Sequence, residues 1–380
     1  QHVPEAFQPG TLPGTKSLFY MDASRGASWI SKPMSESQVI SSELFRLTQN
    51  LVDIPSITGE EEACSQFLAD YLAGRRWKVE TIPVSPGRFN VFASQGHPEI
   101  VLSTHLDTVP PFIPAREDAE FIYGRGSCDA KGIAAAEVMA AQSLLDEGVS
   151  DLGLLFLVGE ETLSDGARAA NGRPRGSKYI INGEPTCNKL ALGTKGVLRV
   201  DLRVRGRMAH SAYPHLGESA VEKLLDILAD VRKLPLPSDE ILGPCTLNIG
   251  VISGGCAANV VPGEAQAQLL FRTVPLRPGA PDLKSQVEEL LRGRCEFEFI
   301  RDTPALRLEK LDGFETDVVA YSTDLPSLTS WGQPFLLGPG SIHVAHTDEE
   351  CVRKSELLHA VSLYGRLVRL LKARNGDKSA

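Results

Sequence analysis

Imidazole and carboxylate side chains recur in this chain where apolar runs end. His105 and Asp107 lie in STHLDTVP, directly after the run EIVL, and Asp129 lies in GRGSCDAKG. Glu160 and Glu161 close LGLLFLVGEE, Glu184 closes KYIINGEP, and His346 lies in GPGSIHVAHTDEE. Imidazole nitrogens and carboxylate oxygens are the donors that zinc and similar divalent ions take, and they are also the commonest general acids and bases. A single His-x-Asp after a strand is equally consistent with an ordinary polar exit. Its repetition at strand after strand points to chemistry. His343, three residues before His346 in the same loop, is the alternative donor there.

These residues can meet only if their strands end on one edge. NVFAS, EIVLST, LGLLFLVG and KYIING read as strands, and they alternate with helical stretches at 60–77 and in KGIAAAEVMAAQSLLDEG. The run LLFLV is apolar throughout, as a strand buried on both faces requires. This alternation predicts an α/β fold, a mixed and mostly parallel sheet flanked by helices, with a ligand crevice at the carboxyl ends of its strands. From Lys195 the texture changes. VLRVDLRVRGR alternates apolar and charged residues at period two, and helix, two strands, helix and strand follow. That order is the ferredoxin-like β-α-β-β-α-β pattern. The expected organisation is therefore an inserted α+β lid at 195–302, within a catalytic domain formed by 34–194 and 303–380. Residues 1–33, rich in Pro, Gly and Ser, are expected to be a poorly structured extension, with Met34 an alternative start.

Composition narrows the functional classes. The chain has 380 residues, 42% of them hydrophobic and 23% charged, with a net charge of -9, which argues against a nucleic-acid binder. No apolar run reaches the roughly 18 residues of a membrane span, and the N-terminus lacks the basic and apolar regions of a signal peptide. Seven dispersed cysteines without a CxxC pair suit a reducing compartment, so a cytoplasmic location is expected. Cys128, beside Asp129, has no sequence-near base and reads as a small buried residue.

The ordered set STHLDTVP, GRGSCDAKG, GEE, NGEPT, GRMAHSAYP, ANVVPGEA and VAHTDEE resembles the dinuclear-zinc amidohydrolases that include acetylornithine deacetylase, succinyl-diaminopimelate desuccinylase, aminoacylases and glutamate carboxypeptidases. The resemblance extends from about Met34 to Lys372 and is closest to the deacetylase and desuccinylase branch. It implies a zinc-exopeptidase-like catalytic domain with a dimerising lid. It also implies two divalent metal ions, zinc first, with cobalt or manganese compatible with the same donors. One ion would be held by His105, Glu184 and Asp129, with Asp129 bridging to a second held by Glu161 and His346. Asp107 would accept the free ring N–H of His105, and Glu160 would be the general base. His210, in the lid, would stabilise the tetrahedral intermediate from the partner subunit of a homodimer. Asn259 and Arg272 would contact a substrate carboxylate, and Gly340 would let backbone approach the ligand.

The expected reaction is hydrolysis of the amide bond of a small N-acyl amino acid, releasing a carboxylate and a free amine. A di- or tripeptidase or a glutamate-type carboxypeptidase would use the same chemistry on a short peptide. A catalytically silent binding protein of the same fold would lack a metal ligand or the general base, and none of these positions is missing.

Overall fold

A computed structural model of the chain describes residues 36–276, 279 and 281–376; the expected extension at 1–33 lies outside them. Contacts divide the chain between Glu43 and Leu44, inside helix α1 (Glu36–Val52). Residues 36–43 are helical, and the unit from Leu44 onward carries all that follows.

The larger sheet is built from β1 (Lys78–Ser85), β2 (Arg88–Gln95), β3 (Ile100–His105), β5 (Leu152–Leu157), β6 (Tyr179–Asn182) and β11 (Gln333–Leu336), in the order β1-β2-β5-β3-β6-β11. The last four run parallel to one another, while β1 and β2 add an antiparallel edge. Every residue of β3, β5 and β6 is buried, as the apolar runs IVL, LLFL and YII within them require. One face packs on Phe92, Val101, Leu155, Ile180 and Trp331, and on α4 (Asp165–Asn171). The other meets α3 (Lys131–Asp146), which also packs on α7 (Lys354–Gly376). Helix α2 (Glu62–Ala73) covers β1 and β2. All five alanines of α3 are buried, so the helix can approach two neighbours at once.

The parallel strands leave the sheet in step. Past the ladder, Leu106 N–H donates to Leu157 O at 2.8 Å, Gly183 N–H to Ser103 O at 2.7 Å, and Leu337 N–H to Asn182 O at 3.1 Å. His105 pairs with Leu157, three residues before Glu160, so the segments carrying His105, Glu160, Glu161, Glu184 and His346 emerge from one edge.

The second sheet contains β7 (Gly196–Arg205), β8 (Thr246–Gly254), β9 (Glu264–Thr273) and β10 (Glu296–Thr303), in the order β8-β9-β7-β10, antiparallel throughout. Helices α5 (Ala220–Val231) and α6 (Leu283–Leu291) cover one face over Val200, Leu202, Leu224, Phe271 and Val287. The period-two pattern of β7 puts Leu198, Val200 and Leu202 into that core and Arg199, Asp201 and Arg203 on the other face. Ser219 caps α5 by accepting from Glu222 N–H at 3.2 Å, and Asp282 caps α6 by accepting from Ser285 N–H at 3.0 Å. No helix among the described residues is long and apolar enough to cross a membrane.

Candidate active site

The edge of the parallel strands brings His105, Asp129, Glu161 and His346 into hydrogen-bonding contact. Asp129 lies between the imidazoles: its Oδ1 is 3.0 Å from His105 Nε2 and its Oδ2 is 3.4 Å from His346 Nε2. His346 Nε2 is also 3.0 Å from Glu161 Oε1. His346, rather than His343, is the ring that enters, carried on a loop at φ +64°. Glu184 is buried, and its Oε1 has no hydrogen-bond partner.

This arrangement passes a test for a divalent cation. His105, Asp129 and Glu161 each place a ligand atom within 4.8 Å of the others, one carboxylate faces two imidazoles from its two oxygens, and the unpartnered Glu184 oxygen is a spare donor. A bridging carboxylate suits two cations that would otherwise repel.

The electrostatics agree. Burial pushes Glu184 and Glu160 well above the usual carboxylate range, with neighbouring acids adding to it, and raises Glu161 as well. Burial also opposes the charge of Asp129, yet His105 and His346 hold it below its ordinary value. His346 is raised to about 10 by Asp129 and Glu161. Burial would depress His105, but Asp107 and Asp129 outweigh it and hold its pKa well above normal. Desolvated acids crowded in this way favour any cation that can sit among them.

Two of the expected positions make contacts beyond those the resemblance implies. The nearest acceptor for His105 Nδ1 is the backbone carbonyl of Asp107 at 2.9 Å, with the Asp107 carboxylate farther off at 3.5 Å. That carboxylate also faces the Glu160–Glu161 turn. It accepts from Glu160 N–H at 3.0 Å, Glu161 N–H at 3.1 Å and the Thr58 hydroxyl at 2.8 Å. Asp107 therefore flanks the His105 ring with both its backbone carbonyl and its carboxylate, and the carboxylate also holds the Glu160–Glu161 turn. Gly340 is buried at φ +79°, and a Cβ there would lie 2.6 Å from Cys128 Sγ. That close contact and the left-handed backbone both favour glycine here.

The lid residues stand apart. His210 and Asn259 are exposed and close to each other: His210 pairs with Val260, and Ser211 N–H donates to Asn259 O at 2.9 Å. No described hydrogen bond or ion pair joins either to the carboxylate cluster. Arg272, on β9, is half-buried; burial and the nearby Arg301 guanidinium lower its pKa, and Glu160 opposes them. Lid and edge touch where Arg301 Nη1 donates to Thr162 O at 3.1 Å, one residue past Glu161.

Several supporting residues were not singled out from sequence. Asp324, 1% exposed, has neither carboxylate oxygen hydrogen-bonded and adds to the field that raises Glu160. Arg88 clamps Glu61 and Asp165 under the loop of Glu160. Glu350 and Arg125 form a buried ion pair beside Asp129. A charged residue between glycines, as in GRG at 124–126, was a readable signal for Arg125.

A mixed sheet with a two-histidine, multi-carboxylate edge and an inserted α+β lid defines a metallohydrolase architecture, and known proteins match it. Residues 192–298 match the peptidase dimerisation domain of the M20 family. A peptidase M20 domain-containing protein of Schizosaccharomyces pombe is 39% identical over 338 residues, covering 86% of this chain and 84% of the relative. A probable carboxypeptidase of Aspergillus niger is 39% identical over 368 residues, covering 84% and 88%. Among solved structures, a tripeptidase from Staphylococcus aureus superposes with a TM-score of 0.72 at 20% identity, over 85% of this chain and 97% of that one, a likeness of fold. The chain belongs to the peptidase M20 family, metallohydrolases that act on amide bonds.

Proposed function

We propose that this protein hydrolyses the amide bond of a small substrate bearing a free α-carboxylate, with two divalent ions held by His105, Asp129, Glu161, Glu184 and His346. The observation that carries the reading is Asp129, set between two imidazoles with Glu161 and the unpartnered Glu184 oxygen around it. Zinc suits the donor set, and cobalt or manganese would fill it too. When bound, such ions would acidify the attacking water and polarise the amide carbonyl.

The chain's own groups do the rest. Glu160 takes the proton from the attacking water and delivers it to the departing amine. Asp107 fixes the turn so that neighbouring carboxylates serve different tasks, Glu161 as ligand and Glu160 as base. Arg272, which makes no described ion pair, offers a fork for the substrate carboxylate. His210 and Asn259 act from the lid, His210 in the site of a partner subunit within a homodimer. The free cysteines support a reducing, cytoplasmic setting.

Two substrate classes present this carboxylate–amide pair. Relatives named probable carboxypeptidase favour the C-terminal residue of a short peptide. The stretches GSCDAKG, NGEPT and VAHTDEE favour an N-acyl amino acid of deacetylase or desuccinylase type. The deciding assay sets N-acetyl and N-succinyl amino acids against N-blocked dipeptides, dipeptides and tripeptides, using metal-loaded protein. Turnover of peptides alone would exclude the deacylase class. Equal turnover of the matching carboxamides would overturn the role given to the free carboxylate.

A further inference from the structure

We propose that Glu350 is a positioning residue that, through its buried ion pair with Arg125, fixes the Asp129 loop against the His346 loop and so sets the spacing of the metal site. The proposal rests on the reading of Asp129 and His346 as ligands.

Glu350 is 1% exposed and Arg125 2%. Glu350 Oε1 accepts three backbone N–H groups of one loop, from Gly126 at 2.9 Å, Cys128 at 3.2 Å and Asp129 itself at 3.1 Å. Glu350 Oε2 takes Arg125 Nη1 at 2.6 Å. The same Nη1 donates to Thr347 O at 3.1 Å, on the residue that follows His346, and Arg125 Nε reaches Pro111 O at 3.3 Å. One ion pair thus joins the backbone before the bridging carboxylate to the backbone after a terminal ligand. Glu350 also enters the short pairing of β12 (Cys351–Arg353) with β4 (Phe121–Tyr123), where Gly124 N–H donates to Glu350 O at 3.0 Å.

A buried carboxylate is costly unless its charge is met by donors, and here four donors converge on it. What those donors hold is chiefly loop backbone at the ligands. The His346 loop needs an anchor: His346 is about half exposed, sits at φ +64° and belongs to no helix or strand. The pair is also neutral as a unit, so it can organise an edge crowded with acids without adding to their repulsion. Partners that orient ligands in this way typically change metal affinity or activity by about 10–100-fold when removed.

The test compares E350Q with wild type in the full-length protein. The amide keeps the volume but cannot both accept three N–H groups and accept from Arg125. The expected result is a folded protein by circular dichroism whose affinity for one of two cobalt ions falls about 10–100-fold. Its cobalt absorption spectrum should change, and kcat should fall more than KM rises. A lower melting temperature with unchanged cobalt affinity, spectrum and kcat would mean that the pair only stabilises the fold, and would overturn the proposal. If E350Q does not fold, R125K, which keeps the charge but loses the fork, takes the same measurements with the same two readings. D129N separates the failures: unchanged binding of both ions there would sink the ligand assignment itself, whatever Glu350 does.

Discussion

At the carboxyl edge of the larger sheet, His105, Asp107, Asp129 and Glu184 are 1%, 0%, 5% and 3% exposed. In the lid, His210 and Asn259 lie at the surface, while its buried interior is dominated by aliphatic and aromatic side chains. The edge spends its interior on charge, the lid on packing. Desolvated groups bonded to one another, as Asp129 is to His105, have their geometry fixed before any ligand arrives. His210, exposed, is held by its own loop, where its Nδ1 accepts from Ala212 N–H at 3.1 Å, and it acts on what is brought to it. Changes at the edge should therefore act on kcat or metal content, and changes in the lid on assembly, on substrate capture or, at His210, on kcat without metal loss.

The largest effect is expected for E160Q, which should lower kcat by about 10²–10⁴-fold while elemental analysis still finds both metals. Metal loss in E160Q, with E161Q retaining activity, would show that the two neighbours have exchanged roles. H210A should follow, with a loss of about 10²–10³-fold in kcat, the usual effect of removing a donor to a developing oxyanion, and unchanged metal content. Mixing E160Q with H210A adds a sharper test. If His210 serves the partner's site, an equimolar, randomly reassorted mixture should recover roughly one quarter of wild-type activity, since about half its dimers are mixed and one of the two sites in each of those is intact. No recovery, with subunit exchange shown by light scattering or mass spectrometry, would return His210 to its own chain.

The two regions also differ in how far sequence could disclose them. The apolar runs of β3 and β5, the alternation of β7 and the Ser219–Glu222 cap are local patterns, and local patterns set strand type and helix start. The residue types at the edge were equally readable, because most follow a strand and Asp129 lies just before a helix. Their partners were not. Glu349 and Glu350 are chemically alike in TDEE, yet the Glu349 side chain is 82% exposed and that of Glu350 is 0%. Only the pairing of Cys351–Arg353 with Phe121–Tyr123, distant in sequence, turns one of them inward. Asp107 makes the same point. His-x-Asp suggests a carboxylate behind an imidazole, but the Glu160–Glu161 amides compete for that carboxylate, and the turn presenting them is a tertiary feature.

Arg272 lies between the regions, on a lid strand but within reach of the Glu160 field. R272K keeps the charge and loses the parallel second donor, so kcat/KM should fall by roughly tenfold to a hundredfold, the equivalent of about 1.5–3 kcal/mol for a charged hydrogen bond. The change should appear mainly in KM and vanish for a substrate whose carboxylate is replaced by an amide. A fall in kcat alone would move Arg272 from binding to the chemistry of the edge.

The smallest effect tests the lid as scaffold. Ser219 accepts Glu222 N–H at the start of α5, and no described hydrogen bond or ion pair ties it to the carboxylate cluster. S219A should cost about 1 kcal/mol of stability, as removal of an N-cap usually does, measured by denaturant unfolding with an unchanged slope. If the lid only carries exposed groups into place, kcat and KM should both stay at wild-type values, because loosening one helix end leaves the β7–β9 pairing that bears Arg272 intact. A drop in kcat without metal loss would say the opposite. The lid's internal rigidity would then reach the edge, and the contact from Arg301 to Thr162 O, one residue past Glu161, is the route the structure provides.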